Sequence, residues 1–204
     1  MPLKLYYSPG ACSLSPHIVL HEAGLAHEAI LASTKSHKLQ DGTDFYTINP
    51  LGYVPLLELE DGRRLTEGPA IVQYLADQAP DKQLAPANGT WERYQLQSRL
   101  NFISTELHKN FGPLFKPGSS DDTRQAARQA LHGRLSFVEQ ELARQPYFNG
   151  PSFSVADAYL FTVANWAKHV HVDISAFSHL QAYLARIAER PAVQAALKAE
   201  GLIK

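Results

Sequence analysis

Cysteine is almost missing from this chain: of 204 residues, one is a cysteine, Cys12. A single thiol closes no internal disulfide, so a stapled extracellular scaffold is excluded. A reducing compartment, or a thiol with a chemical task, is indicated instead. There is no C-x-x-C either, because Ser15 stands where a resolving cysteine would be, which argues against a dithiol oxidoreductase. Excess charge of one sign is also missing. With 19 basic against 20 acidic side chains and a formal net charge of −1, the chain has no strong field to gather nucleic acid or an anionic membrane. No uninterrupted apolar run approaches the ~20 residues that span a bilayer. The opening "MPLKLYYSPG" lacks the charged-then-apolar order of a secretory signal. These absences lead us to expect a cytoplasmic protein with neither nucleic-acid nor membrane partners. What the chain does have is material for a core, 45% hydrophobic residues, enough for one or two small domains.

Periodicity divides that material. Leu3 to Tyr7 reads as a strand stopped by Pro9-Gly10. Leu14, Ile18, Val19 and Ala23 then recur at helical spacing up to Gly24, and His27 to Leu31 can form a second strand. A strand, helix and strand within about 30 residues predict a βαβ unit with parallel strands. Leu56–Leu59 and Arg63–Thr66 flank Asp61-Gly62, a strong hairpin turn, before Ala70, Ile71, Tyr74 and Leu75 resume helical spacing. Residues 1–80 therefore read βαβ followed by ββα, an α/β domain. The Pro-, Gly- and polar-rich stretch from Ala79 to Thr90 is the linker candidate, assigned to residues 81–90.

Beyond it no strand pattern is found. Leu96, Leu100, Ile103, Leu107, Phe111 and Leu114 form one helical stripe. Leu131, Leu135, Val138 and Leu142 form a second, and Val155, Tyr159, Val163, Trp166 and Val170 a third. Two short helices, Phe177 to Ala188 and Pro191 to Ala199, finish the chain. Residues 91–204 are expected to form an all-helical domain.

Cys12 sits where the first strand gives way to the first helix. Ser13 can cap that helix, and Pro16 is tolerated in a first turn. The free N–H groups and partial positive charge of a helix start favour a sulfur anion, whether the protein's own or a ligand's. The competing reading is a small buried hydrophobe, the usual fate of a free cysteine.

The segments "YYSPGACSLSPHIVLHEAG", "NPLGYVPLLELEDGRRLTEGPAIVQYLA", "LNFISTELHKNFGPLF" and "FSVADAYLFTVANWA", taken in order over nearly the whole chain, resemble the bacterial beta class of glutathione S-transferases, the cysteine-type enzymes. The resemblance implies a thioredoxin-like N-terminal domain, an all-α C-terminal domain, a homodimer, and conjugation of glutathione to hydrophobic electrophiles. It places Cys12 and Ser13 beside the glutathione sulfur. Val54, before a cis Pro55, would pair its main chain with the cysteinyl part of the tripeptide, like an added strand. Glu67 and Gly68 open the helix that holds the γ-glutamyl end. Glu67 would accept the ammonium, and backbone N–H groups would hold the α-carboxylate. His37 stands where relatives often carry a lysine for the glycine carboxylate, and Lys35 and Lys38 flank it.

On the long helix Asn101, Thr105 and His108 are spaced by four and three, so they share a face. Without the resemblance that face would be read as ordinary solvated surface. With it, Asn101, Thr105, Glu106, Leu107 and His108 are assigned to the glutathione site. The resemblance implies that His108 would steer the thiol and that some of these contacts would cross the dimer interface. The electrophile pocket is expected near His108, from Phe111, Phe115, Trp166 and His169.

His17 and His21 share a helix face and His169 and His171 alternate, but neither pair has the acidic or cysteine company of a zinc site, so no metal is expected. Ser154 and Asp157 form a capping box, read as folding chemistry. Two other functions fit the same residues: disulfide exchange or peroxide reduction through a Cys12 mixed disulfide, and a binder of hydrophobic ligands without turnover.

Overall fold

The computed structural model describes residues 2–204. Contacts divide the chain into two compact units, Met1–Ala85 with Arg190–Lys204, and Pro86–Glu189.

The first unit is built on a four-stranded mixed sheet of order β2-β1-β3-β4. β1 (Leu3–Tyr7) and β2 (His27–Leu31) pair in parallel. β3 (Leu56–Glu58) is antiparallel to β1, and β4 (Arg64–Thr66) antiparallel to β3. This is the expected βαβ-ββα order. α1 (Leu14–Ala23) makes the parallel crossover and is buried on almost every side, from Leu14 to Leu20 without a break. A helix covered all round needs apolar residues all round, and α1 packs against both α2 (Gly68–Asp77) and α8 (Pro191–Ala199). Gly24, at φ 66°, ends α1 in the left-handed conformation that glycine adopts freely, its N–H on the His21 carbonyl and that of Leu25 on the Leu20 carbonyl. The hairpin turns at Gly62 as expected, with the Leu59 N–H on the Arg63 carbonyl at 2.8 Å. In α2 the buried face is Ile71, Val72, Leu75 and Ala76; Ala70 is exposed and Tyr74 half-buried.

One boundary differs from expectation. α8 does not belong with the helical domain assigned to residues 91–204; it packs in the first unit. Arg190 forks onto Glu22 of α1 at 2.6 and 2.9 Å, a bidentate, charge-assisted pair. Helical spacing shows that α8 has an apolar face and cannot show which unit that face covers.

The second unit is helical throughout: α3 (Trp91–Phe102), α4 (Lys109–Phe115), α5 (Asp121–Leu142), α6 (Val155–Ala164) and α7 (Ser178–Ala188). α3 begins at Thr90, whose hydroxyl accepts the Arg93 N–H. All ten residues of α6 are buried, so it is the axis of this unit. The capping box stands as read: the Asp157 carboxylate accepts the Ser154 N–H at 2.8 Å and its hydroxyl at 2.9 Å. Between α3 and α4 the expected continuous helix widens into a π-helical turn, Ile103–His108. From Ile103 to Leu107 to Phe111 the spacing is four and four, not alternately three and four. All six stripe residues are buried nevertheless, because the wide turn absorbs the extra residue. Among the described residues no helix is long and apolar enough to cross a membrane.

Candidate active site

Around Cys12 the first unit closes a tight turn. Gly10, at φ 69°, gives its N–H to Glu200 at 2.9 Å. Ser13 occupies the N-cap position of α1, but its side chain does not cap. Its hydroxyl instead accepts the Ser8 N–H at 3.1 Å and donates to the Ser8 carbonyl at 3.2 Å, cinching the loop from behind. Ser15 donates to the Cys12 carbonyl at 2.9 Å. The Cys12 thiol donates to the carbonyl of Val54 at 3.2 Å, and the Val54–Pro55 peptide is cis. Val54 is itself fixed by packing with Tyr6, Phe45 and Leu56. The loop before it is held by Asn49, which donates to the Tyr53 carbonyl at 2.7 Å.

Of the two sulfur anions that a helix start could favour, the environment of Cys12 does not favour its own. Burial pushes the thiol up to about 12, from an ordinary value near 9. The main-chain N–H groups of Cys12 and Ser13 do pull it down, as a helix start should, while the Glu67 carboxylate pushes it up further. Desolvation of the anion wins. The resting side chain is a neutral thiol and a hydrogen-bond donor.

Two other expected contacts of this unit share an unusual backbone. Glu67 sits at the start of α2 with φ 67° and ψ 110°, its side chain exposed and not capping. A non-glycine residue held there is strained, and such strain concentrates at ligand sites. Gly68, beside it, is buried; a Cβ there would lie 3.9 Å from the Pro55 ring and 4.0 Å from the Ser15 hydroxyl, so the start of α2 stands against the Cys12 turn. His37 also has positive φ, 53°. Its ring lies tilted against Tyr46 at 4.7 Å, and its Nδ1 donates to the Gly52 carbonyl at 3.2 Å, which leaves Nε2 for a ligand. A Cβ on Gly52 would come within 2.5 Å of the Tyr46 ring and 2.9 Å of the His37 imidazole, so this packing requires glycine.

In the second unit the π-helical turn reorders the face expected for Asn101, Thr105 and His108. Asn101 and Thr105 are exposed, and the Thr105 hydroxyl bonds back to the Asn101 carbonyl at 3.0 Å. His108 is turned inward. Its Nδ1 lies 2.7 Å from the Tyr159 hydroxyl and its ring meets Trp166 edge-on at 4.8 Å. Desolvation lowers its pKa, so His108 is a neutral imidazole at pH 7 and not the cation that a charge-based reading would use. Glu106 is paired with Arg134 of α5 at 2.5 Å. Leu107 is fully buried in the core, so its side chain is closed to any ligand.

Of the expected pocket, Phe111 and Phe115 both meet Trp166 edge-on, at 5.7 and 5.6 Å. Phe115 is half exposed, Phe111 buried. His169 is exposed at the end of a 3-10 turn and, among the described residues, makes no ring contact with the cluster. Sequence reading missed Tyr159 and Glu200, the residues that orient His108 and Gly10. Tyr159 carried only the signal of a helical stripe; Glu200 carried none.

The family description "Glutathione S-transferase, N-terminal domain" matches residues 10–78, and "Glutathione S-transferase, C-terminal domain" matches residues 102–191. The chain is 46% identical to glutathione S-transferase GstA of Escherichia coli O157:H7, over 98% of this chain and all of the relative. Its fold matches the bacterial beta class glutathione S-transferase of Sphingomonas chungbukensis with a TM-score of 0.95 at 52% identity. It matches a sphingomonad glutathione S-transferase complexed with glutathione with a TM-score of 0.95 at 49% identity. Each match covers 98% of this chain and 100% of the other.

Proposed function

We propose that this chain, which belongs to the glutathione S-transferase family and to its bacterial beta class, binds glutathione and joins its sulfur to small hydrophobic electrophiles. The observation that carries the reading is the Cys12 thiol, neutral and aimed at the Val54 carbonyl at the start of α1. When glutathione binds, this one S–H turns from the Val54 carbonyl to the ligand's sulfur; a neutral thiol is a donor there and a poor nucleophile itself. A free thiol with a pKa near 8.5 is only a few per cent ionised at pH 7, and lowering it by two units takes about 2.7 kcal/mol. The helix-start N–H groups and the Cys12 S–H supply this at the ligand's sulfur. His108, neutral and held by Tyr159, steers the thiol as an acceptor. The thiolate attacks an electrophilic carbon, a C–S bond forms, the leaving group departs with its electron pair, and the thiol proton goes to solvent.

Binding follows the same residues. The Val54 main chain takes the cysteinyl part; Glu67 and the N–H groups opening α2 take the γ-glutamyl end. Lys35 and Lys38 take the glycine carboxylate, and His37 between them joins as a donor where its Nε2 also carries a proton. Asn101, Thr105 and Glu106 add polar contacts, and Phe115, backed by Trp166 and the buried Phe111, offers an apolar wall for the electrophile. We place the protein in the cytoplasm as a homodimer. The exposed Leu51, Tyr53, Trp91 and Tyr94 support the latter, and sedimentation at the mass of one chain would remove it.

The test is thioether formation with chlorodinitrobenzene and a panel of small electrophiles, with and without glutathione. Turnover above the uncatalysed rate is expected. Saturable glutathione binding without turnover on any electrophile would replace the transferase with a binder. Glu67→Gly tests the site more finely. Relief of about 1–3 kcal/mol of backbone strain, less ~0.5–1 kcal/mol of glycine entropy, should raise the unfolding temperature by a few degrees. Loss of the ammonium acceptor should raise KM for glutathione by about 10-fold. A KM that stays put would take Glu67 out of the site.

A further inference from the structure

Three imidazoles gather in the first unit. His17 and His21 lie one turn apart on α1, and His27 opens β2 just after the left-handed turn at Gly24. One ring nitrogen of each lies within 4.8 Å of the other two. The rings of His17 and His21 stack at 5.3 Å, and His27 meets both edge-on, at 5.4 and 5.1 Å. The sequence alone offered the first pair no company. The fold supplies a third histidine and, from position 200, a carboxylate.

The hydrogen bonds decide which nitrogens are free. His17 Nδ1 lies 2.9 Å from a Glu200 carboxylate oxygen, which accepts, so Nδ1 carries the proton. His27 Nδ1 lies 2.9 Å from the Leu25 carbonyl, so the same holds there. A ring that carries only this proton has its lone pair on Nε2. His21 Nε2 is buried without a hydrogen-bond partner among the described residues. An imidazole whose Nδ1–H is held by a carboxylate or a main-chain carbonyl while Nε2 stays free is the arrangement that orients a metal ligand.

We propose that His17, His21 and His27 form a three-imidazole site for a late first-row divalent cation, zinc foremost, with a fourth position open to water. Three neutral nitrogens suit zinc, copper or nickel and not magnesium or calcium. Tetrahedral zinc, with bonds of ~2.0–2.1 Å, sets its nitrogens about 3.3 Å apart. The widest pair therefore has to close by up to about 1.5 Å. His21 and His27 are only half-buried, so ring rotation can supply this, and the ion and its water have a way in. The Glu200 carboxylate behind His17 offsets part of the added charge. The same carboxylate accepts the Gly10 N–H in the turn that leads to Cys12. The ion would therefore tie α1 to β2 and, through His17 and Glu200, brace that turn: a structural role, separate from glutathione chemistry.

The test uses the full chain, stripped with EDTA and titrated with zinc chloride alone against a chromophoric chelator. One zinc per chain is expected, with Kd at or below about 1 μM, and an unfolding temperature that rises with free zinc. His21→Gln and His27→Gln should each weaken binding by at least about 10-fold, and the double variant should abolish it; Cys12→Ser should leave it unchanged. Ring 15N spectra of the wild-type chain give a readout that does not depend on the variants folding: zinc should shift Nε2 of three histidines together. Failure to bind zinc at one per chain, binding that survives the double variant, binding lost with Cys12→Ser, or spectra in which these rings do not move would each overturn the site.

Discussion

Iodoacetamide at pH 7.5 is expected to modify Cys12 of the ligand-free protein roughly 30- to 100-fold more slowly than an ordinary thiol. The lift from near 9 to about 12 cuts the thiolate fraction by about 10³. A more basic thiolate is intrinsically more nucleophilic, with a Brønsted slope of about 0.4–0.5, which returns roughly 10- to 30-fold. The pH profile is the sharper readout. The rate should climb tenfold per unit past pH 9 with no plateau. Because the chain has one cysteine, added mass reports this site alone. Folding stability follows with a defined sign. Above pH about 9 the unfolded chain releases the thiol proton while the folded chain keeps it, so stability falls as pH rises from 9 towards 12. In the same frame Cys12→Ala should keep conjugation within about 10-fold, since it removes one weak sulfur donor. Fast alkylation with a plateau below pH 8 would restore Cys12 as a nucleophile and favour the mixed-disulfide route. A dead Cys12→Ala enzyme would show that its sulfur does more than donate.

Asp157→Ala should lower the unfolding temperature by about 10 °C or more. Asp157 is fully buried, and its carboxylate accepts from the Phe148 N–H at 2.8 Å, from both donors of Ser154, and from the Tyr183 hydroxyl at 3.0 Å. Alanine leaves two main-chain N–H groups, the Ser154 hydroxyl and a phenol without that acceptor. Each such loss costs about 1–3 kcal/mol, and the helix cap goes with them. A total of about 4 kcal/mol or more, at 2–4 °C per kcal/mol for a chain of this size, gives the shift. Asp157→Asn keeps one acceptor oxygen and should cost about half as much. Thermal melts followed by circular dichroism decide it. A shift below about 3 °C for alanine would mean that α6 is held by its apolar contacts alone and that the box adds little.

Whatever repeats locally could be read before any coordinates. The βαβ-ββα order of the first unit, the Gly24 and Gly62 turns and the Ser154–Asp157 box each depend on residues within a few positions of one another, where backbone sterics and periodicity act. The buried stripe on α3 and α4 was legible for the same reason; the π-helical turn within it was not, nor was the direction in which that turn points His108.

Terms with no local signature were decided by the tertiary structure. Cys12 stands at a helix start in the sequence and in the fold, yet its protonation follows from how much water the fold removes. Glu200 holds Gly10 across 190 positions and His17 across 183, and α8 lies with the first unit because of such contacts. The gathering of His17, His21 and His27 needs a helix and a parallel strand brought side by side. Sequence spacing determines which residues share a face; the desolvation of a charge and the meeting of distant polar groups exist only once the chain is packed.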